Sequence, residues 1–172
     1  MRASLIAAAT DLFAERGPSA VSVRQVAEAA VVNHGLVHHY FGSKDGLIRA
    51  VLDQLADEAK IEIDADERSA AIYALGGATE RHGRIVAHLL LEGRDLADYK
   101  SGFPSMDAVI ERYQRADGVT EDDARLRVAQ IVAMVLGWQL FEPFLVAAAG
   151  LDQSDDLRAR ALDDAVVRLL RP

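Results

Sequence analysis

The stretch from Ser22 to Lys44, SVRQVAEAAVVNHGLVHHYFGSK, constrains this chain most, because it carries two helix-start signals too close together for either helix to be long. Ser22 and Gln25 make a Ser-x-x-Gln capping box, in which each side chain satisfies a backbone amide that has no partner inside the helix. Val26, Ala27 and Ala30 give this first short helix its apolar face. Asn33 offers a second N-cap just ahead of Gly35, Val37 and Phe41, so the second helix starts at about His34. Only Val31 and Val32 lie between the two, which forces a sharp turn and packing through small or β-branched side chains such as Ala27, Val32 and Val37. Two short helices joined in this way are the layout of a helix-turn-helix DNA reader, and neither is stable by itself.

The flanks supply what the pair lacks. Upstream, Leu5, Ile6, Ala9, Leu12 and Phe13 recur at three- and four-residue spacing, and Gly17-Pro18 ends that helix. Downstream, Ser43 caps a longer helix with apolar positions Leu47, Ile48, Val51, Leu52 and Leu55, and Asp45 sits in its first turn, where the helix dipole favours an anion. Phe41 and Val37 are expected in the core. The reading is a three-helix head continued by a connecting helix.

Roles within the head follow from chemistry. Arg24 and Lys44 suit phosphates, with Ser22 and Tyr40 adding hydroxyl donors. His34, Leu36, His38 and His39 lie on or near the second helix, where imidazoles bond base edges and a leucine meets a thymine methyl, while Gly35 lets the backbone approach DNA. The competing reading is that the three histidines form an ordinary solvated face. His34 and His38 are spaced as metal ligands can be, but no third ligand accompanies them, so neither a metal nor a cofactor is expected.

The net charge of -8 argues against a DNA partner until its distribution is considered. Residues 1–50 carry Arg2, Arg16, Arg24, Lys44 and Arg49 against Asp11, Glu15, Glu28 and Asp45, together with three of the five histidines. A near-neutral head on an acidic body is compatible with operator binding, since only the groove-facing surface must be positive. It implies few phosphate contacts. The 172 residues can bury a substantial core, contain no cysteine, and start on an amphipathic helix without the apolar run of a secretion signal, so a cytoplasmic protein is expected. Ile131 to Leu151 imitates a membrane span, yet Gln139, Glu142 and Pro143 interrupt it, and a buried dimer helix explains it better.

The segment Leu12-Phe13-Ala14-Glu15-Arg16-Gly17, then Val26-Ala27-Glu28-Ala29-Ala30, then His39-Tyr40-Phe41-Gly42-Ser43-Lys44-Asp45-Gly46-Leu47, resembles the N-terminal domain of the TetR (tetracycline-repressor) family of bacterial transcription regulators. The resemblance implies an all-α fold with an N-terminal helix-turn-helix domain, residues 1–46, joined through a connecting helix to a helical ligand-binding and dimerisation domain, residues 47–172. It also implies a homodimer that binds a palindromic operator in double-stranded DNA and lets go when a small-molecule inducer enters the C-terminal domain. Three departures stand out. The family pattern has Gly-Val-Ser where this chain has Val31-Val32-Asn33, and it often has Tyr at His38 and Thr at Leu36. Where many relatives carry a basic arm for the minor groove, Met1 to Ala3 precede the first helix and Arg2 is the one basic residue.

Beyond the head, the pattern predicts helices at 44–64, 67–75, 78–99 with a possible interruption near Gly83, 104–116, 120–149 and 154–170, with Pro143 kinking or ending the longest. That longest helix is apolar all round, and with Leu157, Leu162, Val166 and Leu169 it can form the four-helix interface that the resemblance implies. A ligand cavity among the middle helices would draw its lining from Tyr73, His88, Tyr99, Phe103, Met106, Tyr113, Trp138 and Phe141, and His88 with Glu92 could meet a polar ligand group. The leading function is therefore a ligand-responsive transcription repressor, not an enzyme. The alternatives are a helical interaction protein that has kept the fold without DNA binding, and a small all-helical enzyme, against which the absence of a Glu-x-x-His pair and of any nucleophile motif weighs.

Overall fold

The computed structural model describes residues 1–65, 77–99, 104–115 and 119–151. They form seven α-helices and one 3-10 turn: α1 Arg2–Arg16, α2 Val23–Ala29, α3 Gly35–Phe41, α4 Lys44–Ala65, α5 Gly77–Leu91, the 3-10 turn Leu96–Asp98, α6 Pro104–Gln114 and α7 Glu121–Ala149. No strand occurs among the described residues, so the chain is all-α. Two compact units are present, one made of Met1–Asp57 with Arg81–Phe103 and the other of Glu58–Glu80 with Pro104–Pro172.

In the first unit, the periodic apolar residues converge. Leu5, Ile6, Ala9 and Phe13 of α1, Val21 of the following turn, Val26 and Ala27 of α2, Val37 of α3, and Leu47, Ile48, Val51, Leu52 and Leu55 of α4 are buried, with Ile85 and Leu89 of α5. Each large side chain removed from water here contributes about 1.5–3 kcal/mol, which is how two seven-residue helices stay folded. Gly17 ends α1 at φ 80°, and a Cβ there would stand 2.8 Å from Nδ1 of His88, so both conformation and space require glycine.

The local signals around the short helices are in place. The Ser22 hydroxyl accepts the Gln25 amide at 3.2 Å while the Gln25 side chain accepts the Ser22 amide at 2.8 Å. Asn33 Oδ1 accepts the Gly35 amide at 2.8 Å. The turn between the helices is a Schellman cap: the Val32 amide donates to Ala27 and the Val31 amide to Glu28, which places Val31 at the left-handed position, φ 55°. A valine thus holds the conformation usually given to glycine. The glycine in the next turn is placed by space rather than dihedral: Ser43 caps Gly46, and a Cβ on Gly46 would fall 2.0 Å from the Phe41 carbonyl oxygen.

Two helix ends differ from the sequence expectation. α5 runs through Gly83 without a break and stops at Leu91 rather than 99, because Gly93 (φ 71°) closes a second Schellman cap in which the Arg94 backbone amide donates to the Leu89 carbonyl at 2.9 Å. α6 ends at Gln114. α7, capped by Thr120 and carrying Glu121, Asp122 and Asp123 in its first turn, continues through Pro143 to Ala149, so the proline does not terminate it. In this second unit α6 packs on α7, and Arg127 donates to the Tyr113 hydroxyl at 2.8 Å. The helices expected at 67–75 and 154–170 fall outside the described residues.

Candidate nucleic-acid interface

The start of α2, the turn, α3 and the start of α4 carry the exposed residues of the head that the sequence singles out. Ser22, Arg24, His34, Gly35, His38, His39 and Tyr40 are exposed, Leu36 and Lys44 are half-buried, and Val37 is the α3 side chain that enters the core. All nine residues singled out in the sequence therefore lie on this one unit. Arg24, Ala27, Glu28, Val32, Asn33 and His34 line an open groove of about 420 Å3 between α2 and the start of α3.

Several of these side chains already have partners. Arg24 Nε donates to Glu28 Oε1 at 2.9 Å across one helical turn, with both side chains largely in solvent. The Ser22 hydroxyl is occupied with Gln25 and contributes its remaining lone pair only. His38 Nδ1 lies 3.2 Å from the Gly42 carbonyl oxygen; when that nitrogen carries the proton and donates, Nε2 is left facing outward as an acceptor. Tyr40 meets His39 and Phe41 edge to ring, at centroid distances of 5.1 and 6.2 Å. Phe41, expected in the core, is half-buried instead, with the Arg2 guanidinium 5.4 Å from its ring centre.

Lys44 opens α4 in a crowded setting. Burial pushes its ammonium below the ordinary lysine range, Glu92 and Asp45 act in the opposite direction, and the Arg94 guanidinium depresses it further. The next residue, Asp45, accepts from Arg94 at 2.9 Å and from the Tyr99 hydroxyl at 3.1 Å, while Arg94 also donates to that hydroxyl. Burial, followed by the bond to Asp45, raises the Tyr99 phenol above its usual value. None of these partners was legible from spacing, since Asp45 and Arg94 are 49 positions apart. The Arg24–Glu28 pair was, as an i,i+4 spacing.

A family model described as bacterial regulatory proteins, tetR family, matches residues 5–51, the span of these helices. Over 176 aligned residues the chain is 42% identical to the HTH-type transcriptional repressor Rv3405c of Mycobacterium tuberculosis, covering 99% of this chain and 89% of that protein. The chain belongs to the TetR family. It is a DNA-binding transcription regulator, and its relatives are described as transcriptional regulators. The fold of this TetR-family member is shared with a solved transcriptional regulator from Rhodococcus sp. Rha1 (TM-score 0.69, 24% identity, 99% of this chain and 96% of the other). It is also shared with a TetR variant from Acinetobacter baumannii solved with minocycline (TM-score 0.53, 19% identity, 96% and 92%).

The residues considered for a ligand cavity separate between the two units of this regulator. His88 is half-buried in the first unit, beside Gly17, and Tyr99 is buried there on Asp45 and Arg94. Glu92, paired with His88 in the sequence reading, accepts the Ser19 hydroxyl at 2.5 Å. In the second unit, Met106 and Trp138 are half-buried, Tyr113 is buried against α7 with its hydroxyl on Arg127, and Phe141 is exposed. Tyr73 and Phe103 lie outside the described residues. Among the described residues, no group of three His, Asp or Glu side chains gathers as a metal site.

Proposed function

We propose that this TetR-family protein is a cytoplasmic repressor that binds a palindromic operator as a homodimer and is released by a small molecule held in its C-terminal domain. Phosphate contacts fall to Arg24, Tyr40 and Lys44, and to Ser22 once its hydroxyl proton turns from Gln25 to the phosphate; base reading falls to His34, Gly35, Leu36, His38 and His39. The observation that carries this reading is that the polar side of α3 stands exposed while Val37 anchors the helix in the core beneath it. The turn ahead of α3 supports it too: its hydrogen bonds are those of a regular cap, so the valine in place of glycine leaves the helix pair in register.

The dimer is supported by α7. At 100° per residue, Leu126, Ala133, Gly137, Leu140, Phe141, Phe144 and Ala148 fall on one stripe. Leu126, Leu140, Phe141 and Phe144 are exposed there, and a Cβ on Gly137 would meet nothing within 4 Å. The helix is long and apolar enough to cross a membrane by length and composition. A stripe left uncovered in a DNA-binding regulator is better matched by a second copy of the same helix. Repression agrees with the description of the relative Rv3405c, and a small-molecule effector with the minocycline bound to the TetR variant. Nothing in the reading requires catalysis.

The test is a selection from random duplexes followed by titration on the recovered site. A palindromic consensus whose binding weakens with salt and with Arg24→Ala or Lys44→Ala is the expected result. Recovery of no consensus by a dimeric protein would leave the interaction-protein reading in its place.

A further inference from the structure

The segment after α5 is fastened to the head at several points that its sequence position does not suggest. Its turn is fixed by Gly93 in the left-handed conformation, which aims Arg94 at the first turn of α4. There the Arg94 Nη2 donates to Asp45 Oδ1 at 2.9 Å and to the Tyr99 hydroxyl, and its guanidinium carbon lies 5.4 Å from the Tyr99 ring centre. Tyr99 closes the triangle by donating to the same Asp45 oxygen at 3.1 Å. Farther along, Arg49 donates to the Asp98 carbonyl at 2.7 Å, and on the other side Ser19 donates to Glu92 at 2.5 Å.

An exposed arginine–carboxylate pair alone contributes little. Here the third member is 1% exposed, and a buried phenol hydroxyl demands its partners. The pair is thus anchored to a residue that packing holds in place. What it anchors is a helix start, the place where helices ordinarily fray. Lys44 is the first residue of α4, adjoining Asp45, so the cluster also neutralises the carboxylate nearest to it on the chain.

We propose that Arg94, with Tyr99, is a positioning residue for operator binding: by holding Asp45 it fixes the first turn of α4, and with it the place from which Lys44 reaches phosphate. This deepens the operator-binding reading and rests on it. Arg94 touches no DNA itself and acts through Lys44.

Two readouts on the full chain test this, one of them independent of DNA. In the free protein, Arg94→Gln should speed amide exchange at Gly46 and Leu47 by about tenfold while the Val26 amide of α2 stays protected. On the selected operator, Arg94→Gln should lower the salt slope by about 0.9 per protomer, as Lys44→Ala does, and the double variant should match Lys44→Ala alone. Tyr99→Phe, which keeps the buried ring and removes the hydroxyl, should shift both readouts in the same direction and guards against a misfolded first variant. Unchanged exchange at Gly46 and Leu47, or effects of Arg94→Gln and Lys44→Ala that simply add, would overturn the proposal. Faster exchange in Arg94→Gln, in a protein whose wild type selects no DNA, would support the brace and count against operator binding instead.

Discussion

The head and the long helix α7 solve the same problem in opposite ways. In the head, every short helix turns a few large side chains inward, and Leu5, Phe13, Val26, Val37, Leu47 and Leu52 leave no surface to water. α7 has the more apolar sequence of the two, yet it leaves Leu126, Leu140, Phe141 and Phe144 uncovered. Hydrophobicity therefore does not rank these regions by stability. The head is complete because its caps and glycines let small faces meet, whereas α7, among the described residues, keeps large apolar side chains exposed beyond its contact with α6.

The largest break in this contrast is expected from Gly46→Ala. A methyl 2.0 Å from the Phe41 carbonyl oxygen cannot be accommodated unless α4 moves away from α3, a cost of about 3 kcal/mol by analogy with overpacked cores. Chemical denaturation followed by circular dichroism should show the loss, and sedimentation should show association through α7 unchanged. Equal damage to both would mean that the head is not self-contained. The converse change is Phe141→Asp with Phe144→Asp. It should leave the denaturation of the head intact, yield a monomer in sedimentation, and weaken operator binding by about 100-fold as the second half-site is lost. A dimer surviving both charges would place the interface elsewhere.

A smaller effect, of opposite sign, is expected at the turn. Val31 is 90% exposed, so replacing it sacrifices no burial, while its left-handed backbone costs a β-branched residue about 1–2 kcal/mol. Val31→Gly relieves this and restores chain entropy to the unfolded state, so the net gain should be about 1 kcal/mol in denaturant midpoint at constant slope. No gain, or a loss, would show that the turn does not hold Val31 in that conformation.

These residues also mark what could be read from the chain in advance. The capping box at Ser22, the caps at Asn33 and Ser43, and the core faces of α1 and α4 were legible because each is a short-range pattern with one physical solution. The missing glycine at Val31 was legible as an anomaly, while the cap that accommodates it required the backbone. The span of α7 to Ala149 was legible too, and Pro143 does not end it, since a single lost amide bond does not outweigh the remaining turns. Two things were not legible. The end of α5 at Leu91 was hidden because Gly93 sits inside an otherwise helical pattern. The Asp45–Arg94–Tyr99 cluster joins residues that no local rule connects.

The smallest expected effect separates charge from fold within the head itself. Glu28 neutralises Arg24 at 2.9 Å in the groove where phosphate is expected, and both side chains are open to solvent. An exposed i,i+4 pair stabilises its helix by about 0.3–0.5 kcal/mol, so Glu28→Gln should cost the head no more than that. Removing the carboxylate also frees the guanidinium and deletes one like charge facing the DNA backbone, and operator affinity should rise by about threefold, most at low salt. The two numbers move in opposite directions only if Arg24 exchanges Glu28 for phosphate on binding. A variant that loses stability without gaining affinity would show instead that the pair stays closed on DNA, and that Arg24 serves the helix rather than the operator.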